Sequence, residues 1–140
     1  KADGLIFYSA SSFHKVGKSF SDSLREHYFS TIAFPPAMPW LDNKAPTAPK
    51  LYSTQKEDGS LLLQWTENNT SGEALKFAVY RFEGAEPMNL NNPENIIALT
   101  QNTQFKDAQY IPGKNFRYMV TALDRLWNES EPSNTVDDSL

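Results

Sequence analysis

Phe116-Arg117-Tyr118-Met119-Val120-Thr121-Ala122-Leu123, followed by Asp124-Arg125-Leu126-Trp127-Asn128-Glu129-Ser130, is the stretch whose pattern decides the fold. Phe116, Tyr118, Val120 and Ala122 fall on one face of an extended chain. That period of two is the signature of a strand with one face against a core. The residues after Leu123 break the alternation and place Trp127 at a loop tip.

Working outward, turn signals stand at Asp58-Gly59, Ser71-Gly72, Glu83-Gly84 and Pro112-Gly113. Between them the sequence predicts strands at Leu51–Thr54, Leu61–Trp65, Phe77–Phe82, Ile96–Leu99 and Thr103–Asp107, and a last short strand within Glu131–Val136. With Phe116–Leu123 this makes seven short strands over roughly 90 residues, the pattern of an immunoglobulin-like sandwich. The third strand is apolar on both faces: Phe77 and Val79 on one, Ala78, Tyr80 and Phe82 on the other. A sandwich strand with a free outer face alternates with polar residues. The outer face of this sheet is therefore expected to be covered, by the segment before the sandwich or by a helix further upstream.

The chain has 140 residues, 39% hydrophobic and 21% charged, enough apolar content for a packed core. Its net charge of -4 gives no electrostatic footprint for nucleic acid or an anionic membrane. The absence of Cys excludes disulfides, thiolate metal sites and cysteine nucleophiles. No apolar run approaches the roughly 20 residues that span a bilayer. Nine Pro outnumber six Gly, and five of the Pro lie between Pro35 and Pro49. Residues 1–43 carry four basic and four acidic side chains, so the whole net charge belongs to residues 44–140.

That crowding of proline divides the chain into three. Residues 1–34 read as strand, loop and helix. Leu5–Tyr8 is a short continuous apolar run of the kind found in parallel sheets. Ser9–Gly17 is loop-like, and Ser19, with Asp22 three residues on, is placed to cap a helix ending near Ser30. Phe20, Leu24 and Tyr28 form its apolar stripe. One strand and one helix need parallel neighbours, so this piece is expected to be the last βα step of a larger upstream α/β domain. Residues 35–49 form a Pro-rich apolar hinge. It lacks Gly and contains Met38, Trp40 and Leu41, which predicts a semi-rigid strap seeking a surface. Residues 50–140 form the sandwich.

Pro49, Leu51, Trp65, Phe77-Ala78-Val79-Tyr80-Arg81, and Pro112-Gly113 followed by the alternating run resemble a fibronectin type III domain over about Ala45–Val136. In that family the first aromatic of the run is usually a Tyr whose hydroxyl holds a corner. Here it is Phe116, so either packing alone holds the corner or Tyr118 takes the role. Thr121–Ser130 looks like the last hairpin of the modules of this type attached to bacterial carbohydrate-active enzymes, where an Asp opens the turn and Asn-x-Ser closes it. Gly4–Ser9, Asp22-Ser23-Leu24 and Pro36–Leu41 are similar to the end of a glycoside-hydrolase-like (family 10-like) barrel leading into its C-terminal module. The resemblance implies a non-catalytic accessory module of an extracytoplasmic bacterial glycoside hydrolase, whose partner is the catalytic barrel of the same polypeptide.

The chemistry-bearing residues agree with a module that does no catalysis. Glycoside hydrolysis usually uses two carboxyl groups about 5 to 9.5 Å apart, at strand ends in a barrel. After Tyr8-Ser9 no carboxylate follows until Asp22, inside the expected helix. Ser9, Ser11 and His14 occupy the last βα loop and read as ordinary loop residues or as substrate contacts of an intact barrel. His14 and His27 are thirteen apart, which is no metal spacing. No catalytic residue, metal or cofactor is expected. Asn128-Glu129-Ser130 is a glycan acceptor by pattern and turn chemistry by composition. Trp127 with Arg125 is a candidate carbohydrate or protein contact; otherwise Trp127 folds over the hairpin or docks on a neighbouring barrel. Tyr80, Phe82 and Trp40 are candidate docking contacts. An alternative function, recruiting polysaccharide, needs a platform of exposed aromatics drawn from Trp127, Tyr110 and Tyr52. A further alternative is protein recognition through an exposed apolar patch.

Overall fold

The alternating run is strand over its whole length, Phe116–Leu123, and all four residues of its apolar face are buried. The structure is a computed structural model and describes residues 18–27, 29–57, 59–67, 72–73, 75–85 and 87–137. The chain divides into two compact units, Lys1–Thr31 and Ile32–Leu140.

In the first unit the described element is helix α1, Lys18–His27, with Arg25 and His27 in its last turn, where cations suit the helix dipole. Ser19, expected just ahead of the helix, lies within it. The helix stops short of Ser30, and the Phe29 N–H donates to the Leu24 carbonyl at 2.9 Å. The strand expected at Leu5–Tyr8 and the loop with Ser9, Ser11 and His14 fall outside the described residues.

The second unit carries seven strands: β1 (Lys50–Glu57), β2 (Ser60–Thr66), β3 (Lys76–Glu83), β4 (Ile96–Thr100), β5 (Gln104–Asp107), β6 (Phe116–Leu123) and β7 (Val136–Asp137). They form two antiparallel sheets, one ordered β1-β2-β5 and the other β4-β3-β6-β7. A tight turn at Gly59, whose φ of +74° suits glycine, joins the Glu57↔Ser60 pair of the first hairpin. The inner faces meet in a core built from Leu51, Leu61, Leu63 and Trp65 on one side and Phe77, Val79, Tyr118 and Val120 on the other. Trp65 lies edge-on to Phe77, with ring centroids 5.6 Å apart. The mainly β, seven-strand sandwich expected from the sequence is the architecture observed.

Two local expectations are corrected. The last strand is not Glu131–Val136: a ladder with β6 forms at Val136–Asp137, and before it the chain makes an isolated bridge, Leu123↔Glu129. Pro132 has no N–H to give a ladder; on either side of it the Ser130 and Ser133 N–H groups donate to the Ala122 and Val120 carbonyls at 2.9 Å, and the serine hydroxyls take the return bonds. Ser130 Oγ accepts from the Ala122 N–H at 2.9 Å, and Ser133 Oγ accepts from the Val120 N–H at 3.0 Å. Asn134 then imitates a backbone pair across the sandwich. Its Oδ1 accepts from the Leu51 N–H at 3.1 Å and its Nδ2 donates to the Leu51 carbonyl at 2.8 Å.

The corner is held by Tyr118, not by packing alone. Its hydroxyl donates to Asp107 Oδ2 at 3.0 Å in the buried interior. The same oxygen pairs with Arg81 of β3 at 2.9 Å, and Asp107 Oδ1 accepts from the Gln109 N–H at 2.9 Å. Asp107 ends β5 of one sheet, while Arg81 and Tyr118 belong to the other. One carboxylate thus ties the two sheets together. Phe116 fills the adjacent space, edge-on to Tyr110 and beneath the Arg81 guanidinium at 4.9 Å.

Candidate functional site

The turn after β6 is organised by one side chain. Asp124 is buried, and its Oδ1 accepts from the N–H groups of Leu126 at 2.8 Å and Asn128 at 2.9 Å. Its Oδ2 accepts from Asn128 Nδ2 at 2.8 Å. Asp and Asn suit such turns because their short side chains bond their own backbone. This clasp holds Trp127 at a φ of +65°, a left-handed conformation that costs a bulky residue about 1 kcal/mol or more. The consequence is direction. Trp127 is half-buried, stacked on Phe34 with centroids 6.1 Å apart and rings 25° from parallel. The Lys76 ammonium stands 4.1 Å over the indole.

Trp127 and Phe34 belong to a second apolar cluster on the outer face of the larger sheet. Ala78, Tyr80, Phe82 and Leu123 are its buried members, and Phe34, Met88, Leu90, Ile96, Met119 and Trp127 pack against them. Burying a large apolar side chain stabilises by about 1.5–3 kcal/mol, which is why β3 carries apolar residues on both faces. The expected cover is present. It comes from Phe34, from the β3–β4 connection and from the β6–β7 turn; the last two were not anticipated as covers.

The polar edge of this cluster is Glu129. Its Oε1 accepts from the Tyr80 hydroxyl and from Thr121 Oγ1, each at 2.7 Å. Burial pushes the Tyr80 hydroxyl far above its ordinary value of about 10, and the hydrogen bond to Glu129 and its negative charge push the same way. The folded state therefore keeps this proton after the unfolded chain has lost it. Stability from this group is complete below about pH 10 and falls above it by about 1.4 kcal/mol per pH unit. Wild type and Tyr80→Phe are expected to differ less as pH rises, by about 2 kcal/mol between roughly pH 9 and pH 11.5 in denaturant titrations. Parallel pH profiles for the two proteins would refute this.

Residues 32–49 run along the sandwich and are fastened to it. The Met38 N–H donates to the Leu126 carbonyl at 3.4 Å, and Asn128 Nδ2 donates to the Asp42 carbonyl at 3.1 Å. Between these ties the chain turns, the Leu41 N–H donating to the Met38 carbonyl at 3.0 Å. The turn holds its apolar side chains outward: Trp40 is 75% exposed, Leu41 63% and Met38 37%.

The five residues singled out in the sequence therefore part company. Tyr80 and Phe82 lie inside the outer cluster, stacked at 6.3 Å, and Trp127 lies at its margin. Arg125 is exposed and bonds Glu73 Oε1 at 2.7 Å. Trp40 stands on the strap turn. Tyr110 is buried and Tyr52 is 59% exposed, so Trp127, Tyr110 and Tyr52 present no common aromatic surface. Asn128 spends its amide on Asp124 and Asp42 and is buried, which leaves it a turn residue, not an accessible glycan acceptor. Sequence reasoning missed Asp124 and Asn128 as the anchors of the strap; their spacing across one turn was the available signal. Among the described residues no group of three or more acidic or imidazole side chains is arranged to hold a metal. No helix among them is long and apolar enough to cross a membrane.

No family model matches the chain. It is 34% identical over 133 residues to glycosyl hydrolase YngK of Bacillus subtilis (strain 168), which covers 93% of this chain and 26% of that protein. The chain thus spans about a quarter of the length of this relative. Its fold is similar to the fibronectin type III domain of human fibronectin type III domain containing protein 3, with a TM-score of 0.55 at 16% identity, covering 67% of this chain and 84% of that one. It is also similar to part of a beta-1,2-glucanase from Parabacteroides distasonis, with a TM-score of 0.54 at 23% identity, covering 67% of this chain and 12% of that one. The sandwich has the fibronectin type III-like fold.

Proposed function

We propose that this chain is the non-catalytic, C-terminal accessory module of an extracytoplasmic bacterial glycoside hydrolase, and that its strap orients the sandwich against an upstream, family 10-like catalytic barrel. The observation that carries the reading is the strap itself. Its lower side is tied to the β6–β7 turn by Phe34, Met38 and Asp42, while its upper side offers Met38, Trp40 and Leu41 to solvent. An apolar patch on a rigid support is the ordinary form of a contact surface. Likeness to a glycosyl hydrolase over 93% of the chain supports a hydrolase domain as the neighbour. The same likeness, with the resemblance of residues 1–34 to a barrel end, supports a reading in which the catalytic carboxylates lie upstream.

The test uses the full-length hydrolase that contains this chain. Trp40→Ser with Leu41→Ser is expected to lower the melting temperature of the catalytic domain by several degrees and to speed proteolysis of the strap. The 140-residue chain with the same substitutions should melt as wild type, because both side chains are exposed there. A catalytic domain indifferent to the double substitution would overturn the docking role. Glycoside hydrolysis by the 140-residue chain alone would overturn the non-catalytic one.

A further inference from the structure

The connection from β3 to β4 and the end of β3 border an open cleft of about 770 Å³ on the sandwich. Its wall carries three asparagines, Asn89, Asn92 and Asn95, with Glu83 and Pro87. A second cleft of about 320 Å³ shares Glu83 and Asn95 and adds the half-exposed Ile111 with Lys114. The larger volume lies in the range of small-ligand sites.

Each asparagine is fixed at one end and open at the other. Asn89 Oδ1 accepts from the Asn91 N–H at 2.9 Å, Asn92 Oδ1 accepts from the Glu94 N–H at 3.2 Å, and Asn95 Nδ2 donates to the Asn89 carbonyl at 2.8 Å. Asn89 Nδ2, Asn92 Nδ2 and Asn95 Oδ1 have no partner among the described residues. Two donors and one acceptor are therefore held in fixed orientation, and little rotamer freedom is lost when a ligand uses them. The charges nearby are already matched: Lys114 pairs with Glu83 at 2.8 Å. Glu94, on the same wall as Asn95, disfavours an anion.

The geometry points to a binding site for a neutral oligosaccharide in this cleft. Sugar hydroxyls donate and accept at once, as the three open amide groups require; Pro87 offers apolar surface to the C–H face of a ring in the cleft, and Ile111 does so in the neighbouring one. The site uses no residue of the strap; Phe82, at the base of the cleft, also belongs to the outer apolar cluster, but none of the three asparagines does, so the site can fail without the docking reading failing.

The test is a titration of the isotope-labelled 140-residue chain with cellohexaose, laminarihexaose and maltohexaose, with hexagalacturonate as the anionic control. At least one neutral hexaose should shift the side-chain amide resonances of Asn89, Asn92 and Asn95 saturably, with a dissociation constant on the order of 1 mM, within reach of a few exposed hydrogen bonds. Asn89→Asp with Asn92→Asp keeps both Oδ1 acceptors that build the loop and removes both donors. It should weaken binding about tenfold or more, with the loop's backbone resonances retained, while Trp127→Ala should leave affinity unchanged. The proposal is overturned if no neutral hexaose binds, if the double variant binds as wild type, if the shifts centre on Trp127, or if hexagalacturonate is preferred.

Discussion

Asp107→Ala is expected to lower the melting temperature of the sandwich by at least about 12 °C or to prevent folding. The carboxylate is 4% exposed and receives three donors, Arg81, the Tyr118 hydroxyl and the Gln109 N–H. Removing one member of a buried charge pair leaves the other uncompensated and costs about 3–5 kcal/mol. A domain of this size has about 5–15 kcal/mol in total, and each kcal/mol moves its midpoint by about 4–8 °C. Tyr118→Phe should be milder, about 1.5–3 kcal/mol, because Asp107 keeps its other two donors. The ordering of the two variants in thermal melts is the informative result. A shift below about 5 °C for Asp107→Ala would mean that the two sheets are held by apolar packing alone.

Trp65→Ala is expected to cost about 3–5 kcal/mol, the range for large aromatic truncations in a core. Trp65 is fully buried between the sheets and meets the edge of Phe77. Its loss leaves a cavity that a β-sandwich fills poorly, because strand positions are fixed by their ladders. Trp65→Phe should behave differently. The indole Nε1 has no hydrogen-bond partner among the described residues, so phenylalanine gives up volume but also removes an unsatisfied donor, and the two effects oppose. A cost below about 1.5 kcal/mol is expected. Urea titrations check both variants through the midpoint at constant slope. A phenylalanine variant as damaged as the alanine one would show that shape, not polarity, governs this position.

The outer face of β3 shows how far residue pattern carries. Tyr80 and Phe82 on the solvent side required a cover, and the cover exists. Its composition was not legible. Phe34 is 46 positions from Tyr80, and Trp127 reaches the cluster only because Asp124 and Asn128 set a left-handed turn. Read as a loop tip, Trp127 was open to a carbohydrate or protein contact, to folding over the hairpin or to docking on a barrel; the φ of one residue turns it back over the sheet. The cleft asparagines show the converse. Asn89, Asn91, Asn92 and Asn95 stand in the β3–β4 connection, where the sequence pattern singles out none of them. Which amide ends remain open depends on the hydrogen bonds the folded loop makes.

By itself the sequence determined six of the seven strands, their inner faces and the sandwich class, because alternation and turn residues act over a few neighbours and need no distant partner. It also separated Tyr118 and Phe116 as rivals for one corner without choosing between them. The tertiary structure decided that choice by bringing Asp107, eleven residues earlier, within 3.0 Å of the Tyr118 hydroxyl. It likewise decided that the strap lies along the sandwich and that Asn134 bridges to Leu51. Such contacts join positions far apart in the chain, and only the packed arrangement of the strands fixes which polar groups meet once both have left water.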